Sequence, residues 1–452
     1  MIKQKESTIA GWGNYPVEVC NLYRPDKVQE IAKLIESGAQ PSYISRGLGR
    51  SYGDTALNLR AGVLLHTQFA RFLHFDEQTG VLECEAGVSF EEIIDHFLHR
   101  GWFLPVTPGT KYVTVGGAIA NDVHGKNHHV DGCFSEHVLD FTLLLASGEI
   151  VRCSREEHAD LFHATVGGIG LTGIILTARF RLIPVESAYI EVDYLKARNL
   201  EHAFELFART NEDYQYSVAW IDCLASGSSL GRSVLMLGNH APRSKVKKGD
   251  PLRIKRKKKL NVPFNFPSFA LNKASIKAFN FTYYNSYKDE RGKIVDYDSF
   301  FYPLDRIHNW NRAYGKRGFV QYQAVFPPET SYRGLTQMLE RLSRSGRSSF
   351  LAVLKSSGPQ NGGLLSFPFK GYTLALDIPI HDAGLFPFLR ELDQLVLAHG
   401  GRVYLAKDSE AAPDVFAQMY PTLPRFQEIK ATVDPNNRFS SSQARRLQIV
   451  EG

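Results

Sequence analysis

Short apolar runs bounded by glycine recur through the first 185 residues and predict strands that alternate with helices. The predicted strands lie in 41–47, 62–67, 81–87 and 171–185, with a hairpin over 138–151. The predicted helices lie in 89–101 and 155–168. In the first helix the apolar positions recur at helical spacing, Ser89 is a suitable N-cap and Gly101 is a suitable end.

Longer strands of alternating character begin after residue 188 and indicate a second kind of architecture. They lie in 216–225 (YSVAWIDCLA), 319–327 (FVQYQAVFP) and 372–380 (YTLALDIPI), and a helix is predicted in 330–346. This pattern is typical of an antiparallel sheet with helices on one side. Shorter elements return in the last fifty residues, with a helix near 412–420. We therefore predict an α+β protein of more than one domain, as its 452 residues also suggest.

Two glycine-rich loops, RGLGRSYG (46–53) and PGTKYVTVGGAIANDVHGKNHH (108–129), carry the strongest chemical signal. Glycine lets backbone N–H groups approach a pyrophosphate, so the loops predict a large phosphate-bearing cofactor. A third segment, 168–173, fits G-x-G-x-x-G. A helix is predicted before it and a strand after it, the reverse of a nicotinamide-binding fold, so we reject that assignment.

The histidines of HGKNHH, namely His124, His128 and His129, allow two interpretations. On one helix His124 and His128 would share a face and could bind zinc. Gly125 and the preceding AIAND favour a loop, and no carboxylate or cysteine is suitably spaced, so we predict no metal and instead a cofactor or substrate contact. The chain also lacks the G-x-S-x-G elbow and the G-x-x-x-x-G-K-[ST] loop of hydrolases and ATP-binding proteins.

Composition and charge indicate the cellular compartment and point to a basic surface segment. Five scattered cysteines, no secretory leader and no long apolar span favour a cytoplasmic protein, either free or peripheral on the inner face of the membrane. The net charge is +6, and ten Lys or Arg are concentrated in 243–259. That segment is either a solvated insertion or, with the aromatic NVPFNFPSF after it, a patch for anionic lipid headgroups. Nothing in the chain supports nucleic-acid binding.

The chain resembles the FAD-linked oxidases of the vanillyl-alcohol oxidase type, specifically their sugar-oxidase branch. The resemblance lies in the two glycine-rich loops, in GGIGLTGII (167–175), and in YLAKDS (404–409) with the VDPNNRF and ARRL segments after it. The resemblance runs from residue 46 to residue 447. It implies an FAD-binding domain in two parts, 1–187 and 402–452, with a substrate domain of antiparallel sheet and helices, 188–401, inserted between them. Many relatives bind flavin covalently through a histidine where this chain has Arg50, so the FAD is expected to be noncovalent.

The resemblance also assigns site residues. The expected FAD contacts are Arg46, Gly47, Gly49, Arg50, Ser51, Tyr52, Gly53, Gly109, Thr110, Thr114, Gly117, Asn121, His124, Gly125, Asn127, Gly170, Ile174 and Tyr404. The expected substrate contacts are Trp220, Phe319, Gln321, Gln323, Lys355, Lys407 and His124. The expected catalytic residues are Lys407, His124 and Tyr52, with the base left open between His124 and Lys407. Without the resemblance, Lys407 would be a surface lysine at a strand end, and the two glutamines could bond to water or backbone as well as to sugar hydroxyls. Ala375 stands where some relatives have cysteine, so no thiol-directed chemistry is expected there.

The implied reaction is oxidation of a secondary alcohol, the 2′-hydroxyl of a polyprenyl-phosphate-linked pentose, to a keto-sugar. A partner reductase would then complete an epimerisation that serves cell-envelope polysaccharide synthesis. One alternative is a soluble aldonolactone or sugar-alcohol oxidase of the same fold that uses oxygen as acceptor. Another is a non-catalytic role in a cell-envelope complex, which predicts a colourless protein that tolerates the loss of Lys407.

Overall fold

The computed structural model describes residues 3–247, 249–255, 257–267, 271–347, 349 and 351–450. The first part of the chain forms two main sheets with short helices. Its strands are β1 Lys5–Ala10, β2 Val17–Tyr23, β3 Tyr43–Arg46, β4 Gly62–Leu65, β5 Phe72–Asp76, β6 Val81–Glu85, β7 Trp102–Phe103, β8 Val138–Leu144, β9 Ile150–Ser154, β10 Ile174–Arg181 and β11 Ile183–Pro184. Its helices are α1 Val28–Ser37, α2 Phe90–Phe97, α3 Val115–Ala120, α4 His128–Asp131 and α5 Ala159–Thr165.

The two sheets of this part differ in strand direction. The order β1-β2-β4-β3 forms a mixed sheet in which β2, β4 and β3 run parallel. The order β5-β6-β10-β8-β9 forms an antiparallel sheet that contains the predicted β8–β9 hairpin. The predicted start and end of α2 are confirmed, because the Ser89 side chain accepts from the Glu92 N–H in a capping box and Gly101, after one 3₁₀ turn, is left-handed with φ 84°.

The middle of the chain builds a wide antiparallel sheet. The strands of this part are β12 Tyr189–Ala197, β13 Tyr216–Ile221, β14 Ser233–His240, β15 Leu260–Asn261, β16 Glu290–Asp296, β17 Ile307–His308, β18 Phe319–Phe326, β19 Ala352–Ser357 and β20 Gly371–Pro379. Of these, β15 and β17 pair in parallel as a separate two-stranded sheet. The helices of this part are α6 Leu200–Thr210, α7 Lys273–Ser286, α8 Tyr297–Phe301, α9 Pro328–Ser345 and α10 Leu385–Ala398. The eight-stranded order is β16-β12-β14-β13-β19-β20-β18-β21, where β21 is Arg402–Val403. Strand β13 ends earlier than predicted because Asp222 turns and its N–H donates to the Arg232 carbonyl.

Helices α6, α9 and α10 pack on one face of this sheet, and the opposite face lines the site. Tyr322 of β18 points to the helical side, where its hydroxyl donates to Asp393 of α10 at 2.8 Å. Its neighbours Gln321 and Gln323 point to the opposite side, since side chains alternate along a strand. The inner face of the sheet is therefore free to meet the glycine-rich loops.

The C-terminal segment returns to the first part of the chain. It contains α11 Pro413–Met419, α12 Leu423–Val433 and α13 Ser442–Arg446. The Tyr43 N–H donates to the Arg438 carbonyl at 2.7 Å, and Arg446 forms an ion pair with Asp54 at 2.8 Å. This return agrees with a two-part domain, although β21 still pairs with β18 of the wide sheet. No helix in the described part of the chain has the length and apolar character that crossing a bilayer requires.

Candidate active site

A cavity of about 390 Å³ lies where the two glycine-rich loops face the inner side of the eight-stranded sheet. It collects residues that the sequence places far apart. From the loops it is lined by Gly47, Gly49, Arg50, Ser51, Tyr52, Gly109, Thr110, Thr114, Gly117, Asn121, His124 and Gly125. From the rest of the chain it is lined by Gly170, Trp220, Gln321, Gln323, Lys355, Ala375, Tyr404 and Lys407.

Two expected FAD contacts lie outside this lining because they hold the first loop in place. The Arg46 guanidinium donates to the backbone carbonyls of Ala10 at 2.7 Å and Ala56 at 3.2 Å. Gly53 packs against the C-terminal segment so closely that a Cβ would lie 2.0 Å from the Asp408 carbonyl oxygen. Both residues therefore shape the first loop, and their direct contact with FAD stays a prediction.

Three further expected contacts also lie behind the cavity wall. The Asn127 amide donates to the Pro105 carbonyl at 2.8 Å. The side chain of Ile174 is buried in a small apolar cluster of the first domain. Phe319 lies on the same face of β18 as Gln321 and Gln323, where it stacks on Tyr314 with ring centroids 4.0 Å apart. These residues support the lining, and their direct contact with cofactor or substrate stays a prediction.

The loops form a cradle that suits a polar, phosphate-bearing group. A Cβ on Gly47 would lie 2.3 Å from the Thr114 hydroxyl oxygen, so only glycine fits there, whereas Gly109 meets nothing within 4 Å and its backbone is open to the cavity. Several buried polar atoms of the lining have no hydrogen-bond partner among the described residues: Ser45 Oγ, Arg50 Nε, Asn121 Oδ1 and both ring nitrogens of His66. Buried polar groups normally find partners, so this lining fits a ligand with many donors and acceptors, such as FAD.

Arg50 takes a stacked position at the edge of the cavity. Its guanidinium lies 3.8 Å from the ring centroid of Trp12 and 4.9 Å from that of Tyr112. Burial lowers the pKa of Arg50, and the nearby Asp305 carboxylate opposes that shift. The group stays cationic, as arginine does in proteins, and it offers a charge to an anionic ligand.

His124 is buried and electrically neutral. Burial, followed by the charge of Lys355, holds its pKa well below the usual value. The Gln323 amide nitrogen lies 3.0 Å from His124 Nε2 and can only donate, so Nε2 accepts and the proton is assigned to Nδ1. Nδ1 has no partner among the described residues. His124 therefore presents an N–H rather than a lone pair to a ligand.

Lys407 is a buried amine whose pKa is set by burial and by two neighbouring charges. Its Nζ lies 3.9 Å from the centroid of the Tyr52 ring, and no described residue accepts a hydrogen bond from it. Burial lowers the pKa of Lys407 to about 7, while the Asp377 carboxylate opposes the shift and the Lys355 charge adds to it. Burial likewise raises the pKa of Asp377 to about 7. A group that titrates near neutrality can exchange a proton during a reaction.

The remaining histidines of HGKNHH are engaged by backbone. His128 Nδ1 accepts from the Gly358 N–H at 3.0 Å, and His129 Nε2 lies 3.0 Å from the Tyr214 carbonyl. His124 precedes α4 and so does not share a helical face with His128. In the ranges that the structure describes, no group of three or more His, Cys, Asp or Glu is arranged to hold a metal ion.

Several residues of this region were not predicted from the sequence, and Trp12, His66, Lys126 and Asp377 are the ones that bear on its chemistry. Lys126 lies within HGKNHH, but nothing in that motif marks it as a site residue. Burial lowers the pKa of Lys126 to about 7. Asp377 carried a signal, since a carboxylate within the apolar strand YTLALDIPI must find a partner. Trp12 and His66 belong to no recognisable motif.

Comparison with known proteins agrees with this geometry. Residues 21–154 match the FAD binding domain family, and residues 376–447 match the D-arabinono-1,4-lactone oxidase family. Decaprenylphosphoryl-beta-D-ribose oxidase of Mycolicibacterium smegmatis is 39% identical over 98% of this chain and 97% of its own. An uncharacterised protein of Streptomyces coelicolor is 33% identical over 80% of this chain and 100% of its own. Delta(24)-sterol reductase of Rattus norvegicus is 28% identical over 51% of this chain and 45% of its own.

Proposed function

We propose a reaction for this chain on the premise that it belongs to the FAD-linked oxidases, in the family of decaprenylphosphoryl-beta-D-ribose oxidase. It oxidises the 2′-hydroxyl of a polyprenyl-phosphate-linked pentose to a keto-sugar. One observation carries this proposal: a single cavity joins the FAD-type loops to a wall that bears Gln321, Gln323, Lys355 and Lys407. Such a wall suits a sugar with an attached phosphate, because it offers amides and cations on one side.

FAD is the cofactor and is held without a covalent bond. When bound, it supplies the acceptor for the hydride that leaves the carbinol carbon. Arg50 occupies the position of the histidine that many relatives join to flavin, and a stacked guanidinium is no nucleophile for such a link. The two loops would hold the pyrophosphate and ribityl chain, and Tyr404, whose hydroxyl donates to the Asn121 carbonyl at 2.7 Å, braces the second loop.

Lys407 is the base that takes the hydroxyl proton. His124 is less suited, since its Nε2 lone pair is occupied by Gln323 and burial keeps its pKa low. The neutral amine of Lys407 has a pKa of about 7 and a free lone pair. Once Lys407 has taken the hydroxyl proton, its ammonium would stabilise negative charge on a bound, reduced cofactor.

The phosphate of the substrate meets Lys355. This side chain lines the cavity, and burial lowers the pKa of Lys355 to about 8, so it carries a charge for much of the time at neutral pH. No described residue forms a salt bridge with it. A substrate phosphate would supply the missing counter-charge.

The substrate's lipid tail implies contact with a membrane at the inner face of the cell. In 243–259, Lys245, Arg253, Lys257 and Lys259 already pair with carboxylates of the protein. The exposed amines of Lys247, Lys255 and Lys258 have no such partner among the described residues. Exposed Leu260 and Phe264 follow them. Basic and apolar side chains together favour an anionic bilayer.

The keto-sugar product implies a second enzyme. Epimerisation at the oxidised carbon requires a reductase that returns hydride to the opposite face. We therefore propose that a partner reductase consumes the product. The match over 376–447 supports the alternative of a soluble lactone or sugar-alcohol oxidase.

The test is the visible spectrum of the purified protein under anaerobic conditions, before and after addition of a short-chain polyprenylphosphoryl-ribose. We expect a flavin band that bleaches. A band that persists with this substrate but bleaches with an aldonolactone would transfer the proposal to the soluble alternative. A protein that shows no flavin band even after reconstitution with FAD would refute the assignment.

A further inference from the structure

The two glutamines of β18 are held by different partners on the cavity side of the sheet. Gln321 lies directly opposite Asp377 in the register of β18 and β20, and its Nε2 donates to Asp377 Oδ1 at 2.5 Å. The Tyr314 hydroxyl donates to the other carboxylate oxygen at 3.3 Å. The side chain of Asp377 is fully buried, so these partners make up its polar surroundings together with the charge of Lys407.

Gln323 is fixed in a similar way one step along the strand. Its Nε2 donates to His124 Nε2 at 3.0 Å and to the Thr373 hydroxyl at 3.2 Å, which uses both of its N–H bonds. The Tyr52 hydroxyl also hydrogen-bonds with the Gln321 amide. Apart from Tyr52, no described residue donates a hydrogen bond to Oε1 of either glutamine. Both Oε1 atoms belong to side chains that line the cavity.

The orientation of the Gln321 amide follows from the chemistry of its partner. A carboxylate accepts hydrogen bonds and does not donate them, so it selects the NH₂ end of the amide. The carbonyl oxygen must then point away from Asp377. A neutral asparagine at 377 would lose this selection, because its own amide can present either an oxygen or an NH₂ group.

We infer that Asp377 is a positioning residue that fixes the Gln321 amide so that its carbonyl oxygen accepts a hydrogen bond from a hydroxyl of the substrate sugar. With Gln323 held likewise by Thr373 and His124, the wall presents two acceptors and therefore selects polyols, which bring O–H donors. Sugars whose hydroxyls are replaced by groups that only accept would be rejected, since two acceptors then face each other unpaired. This inference rests on the proposed sugar-oxidase function.

The test is a double-mutant cycle between Asp377→Asn and Gln321→Ala, with the polyprenylphosphoryl-ribose as substrate. It is run near pH 9, roughly two units above the pKa of Lys407, so that Lys407 is neutral and its charge does not contribute to the measured effects. We expect each single variant to raise KM about ten-fold. If Asp377 acts through Gln321, adding Asp377→Asn to Gln321→Ala raises KM no further.

Two results would overturn the inference: full additivity of the two effects, or an unchanged KM in Asp377→Asn. A purely structural role would lower kcat and thermal stability without this coupling. Should Asp377→Asn fail to fold, Asp377→Glu keeps both oxygens but moves them by one methylene, and the same non-additivity is expected. A wild-type protein whose flavin does not bleach with the substrate would instead refute the proposed function itself, so the two failures remain distinct.

Discussion

Replacing Lys407 by methionine tests the proposed base directly, because it preserves an unbranched chain and removes the titrating amine. A pKa lowered from 10.5 to about 7 means that burial and the neighbouring charges together disfavour the ammonium by roughly 5 kcal/mol. About half of the amine is therefore free to accept a proton near pH 7. General-base catalysis contributes about 10²–10⁴-fold, so we expect Lys407→Met to slow flavin reduction by that factor.

The pH profile gives the sharper form of the same prediction. Only the neutral amine accepts a proton, so flavin reduction should rise about ten-fold per unit below pH 7 and level off above it. Neighbouring charges should move the midpoint in opposite directions. Asp377→Asn removes the carboxylate that favours the ammonium and lowers the midpoint, whereas Lys355→Met removes a repelling charge and raises it.

The assay is anaerobic rapid mixing with substrate, following flavin absorbance from about pH 5.5 to pH 9, the interval that brackets the lysine's titration. Lys355→Met is also the matched control, since it removes another buried lysine of the cavity and should mainly raise KM. A rate that falls as pH rises would show that the charged form of Lys407 is required and would refute its role as base. An unchanged profile in Lys407→Met would assign the titration to another group.

The remaining predictions concern the cofactor and the membrane. Acid precipitation should release the flavin into the supernatant completely, because Arg50 forms no covalent link; colour that stays with the pellet would contradict this. Combined replacement of Lys247, Lys255 and Lys258 by alanine should greatly weaken co-sedimentation with phosphatidylglycerol-containing vesicles and leave turnover of a short-chain substrate intact. The control carries the same number of charge removals on another face, namely Lys5, Lys27 and Lys33, and equal loss in both variants would discard the docking role.

Local features of the fold were predictable from sequence because their causes are local. The helix after Ser89 needs only its cap and its apolar spacing, and the hairpin around Gly148 needs only its turn. The match of both loops to an FAD domain was likewise readable, since glycine at fixed positions reports a close backbone approach. The end of β13 could not be predicted from the sequence, because it is set by the hydrogen bond from the Asp222 N–H to the Arg232 carbonyl next to a neighbouring strand.

The chemistry of the site was less accessible because it depends on register between distant strands. Gln321 was identified as a polar residue that needs a partner, but its pairing with Asp377 requires the alignment of β18 with β20. Lys407 was chosen through family resemblance alone, since its burial arises only when the C-terminal return meets Tyr52. In 243–259 the charge count was correct, yet ion pairs with carboxylates from other parts of the chain neutralise part of it.

The distribution of buried charge in the cavity itself argues for an anionic ligand. Lys126, Lys355 and Lys407 line it, and desolvation lowers the pKa of each. The Asp377 carboxylate opposes the lowering of the Lys407 pKa, and it lies behind Gln321. Buried cations without matching carboxylates are unfavourable unless a ligand completes them. A phosphate-bearing sugar above an FAD supplies anions at both ends of the cavity, whereas a neutral lactone supplies none at the Lys355 end. The excess of buried positive charge in the cavity therefore favours the lipid-linked substrate over the soluble one.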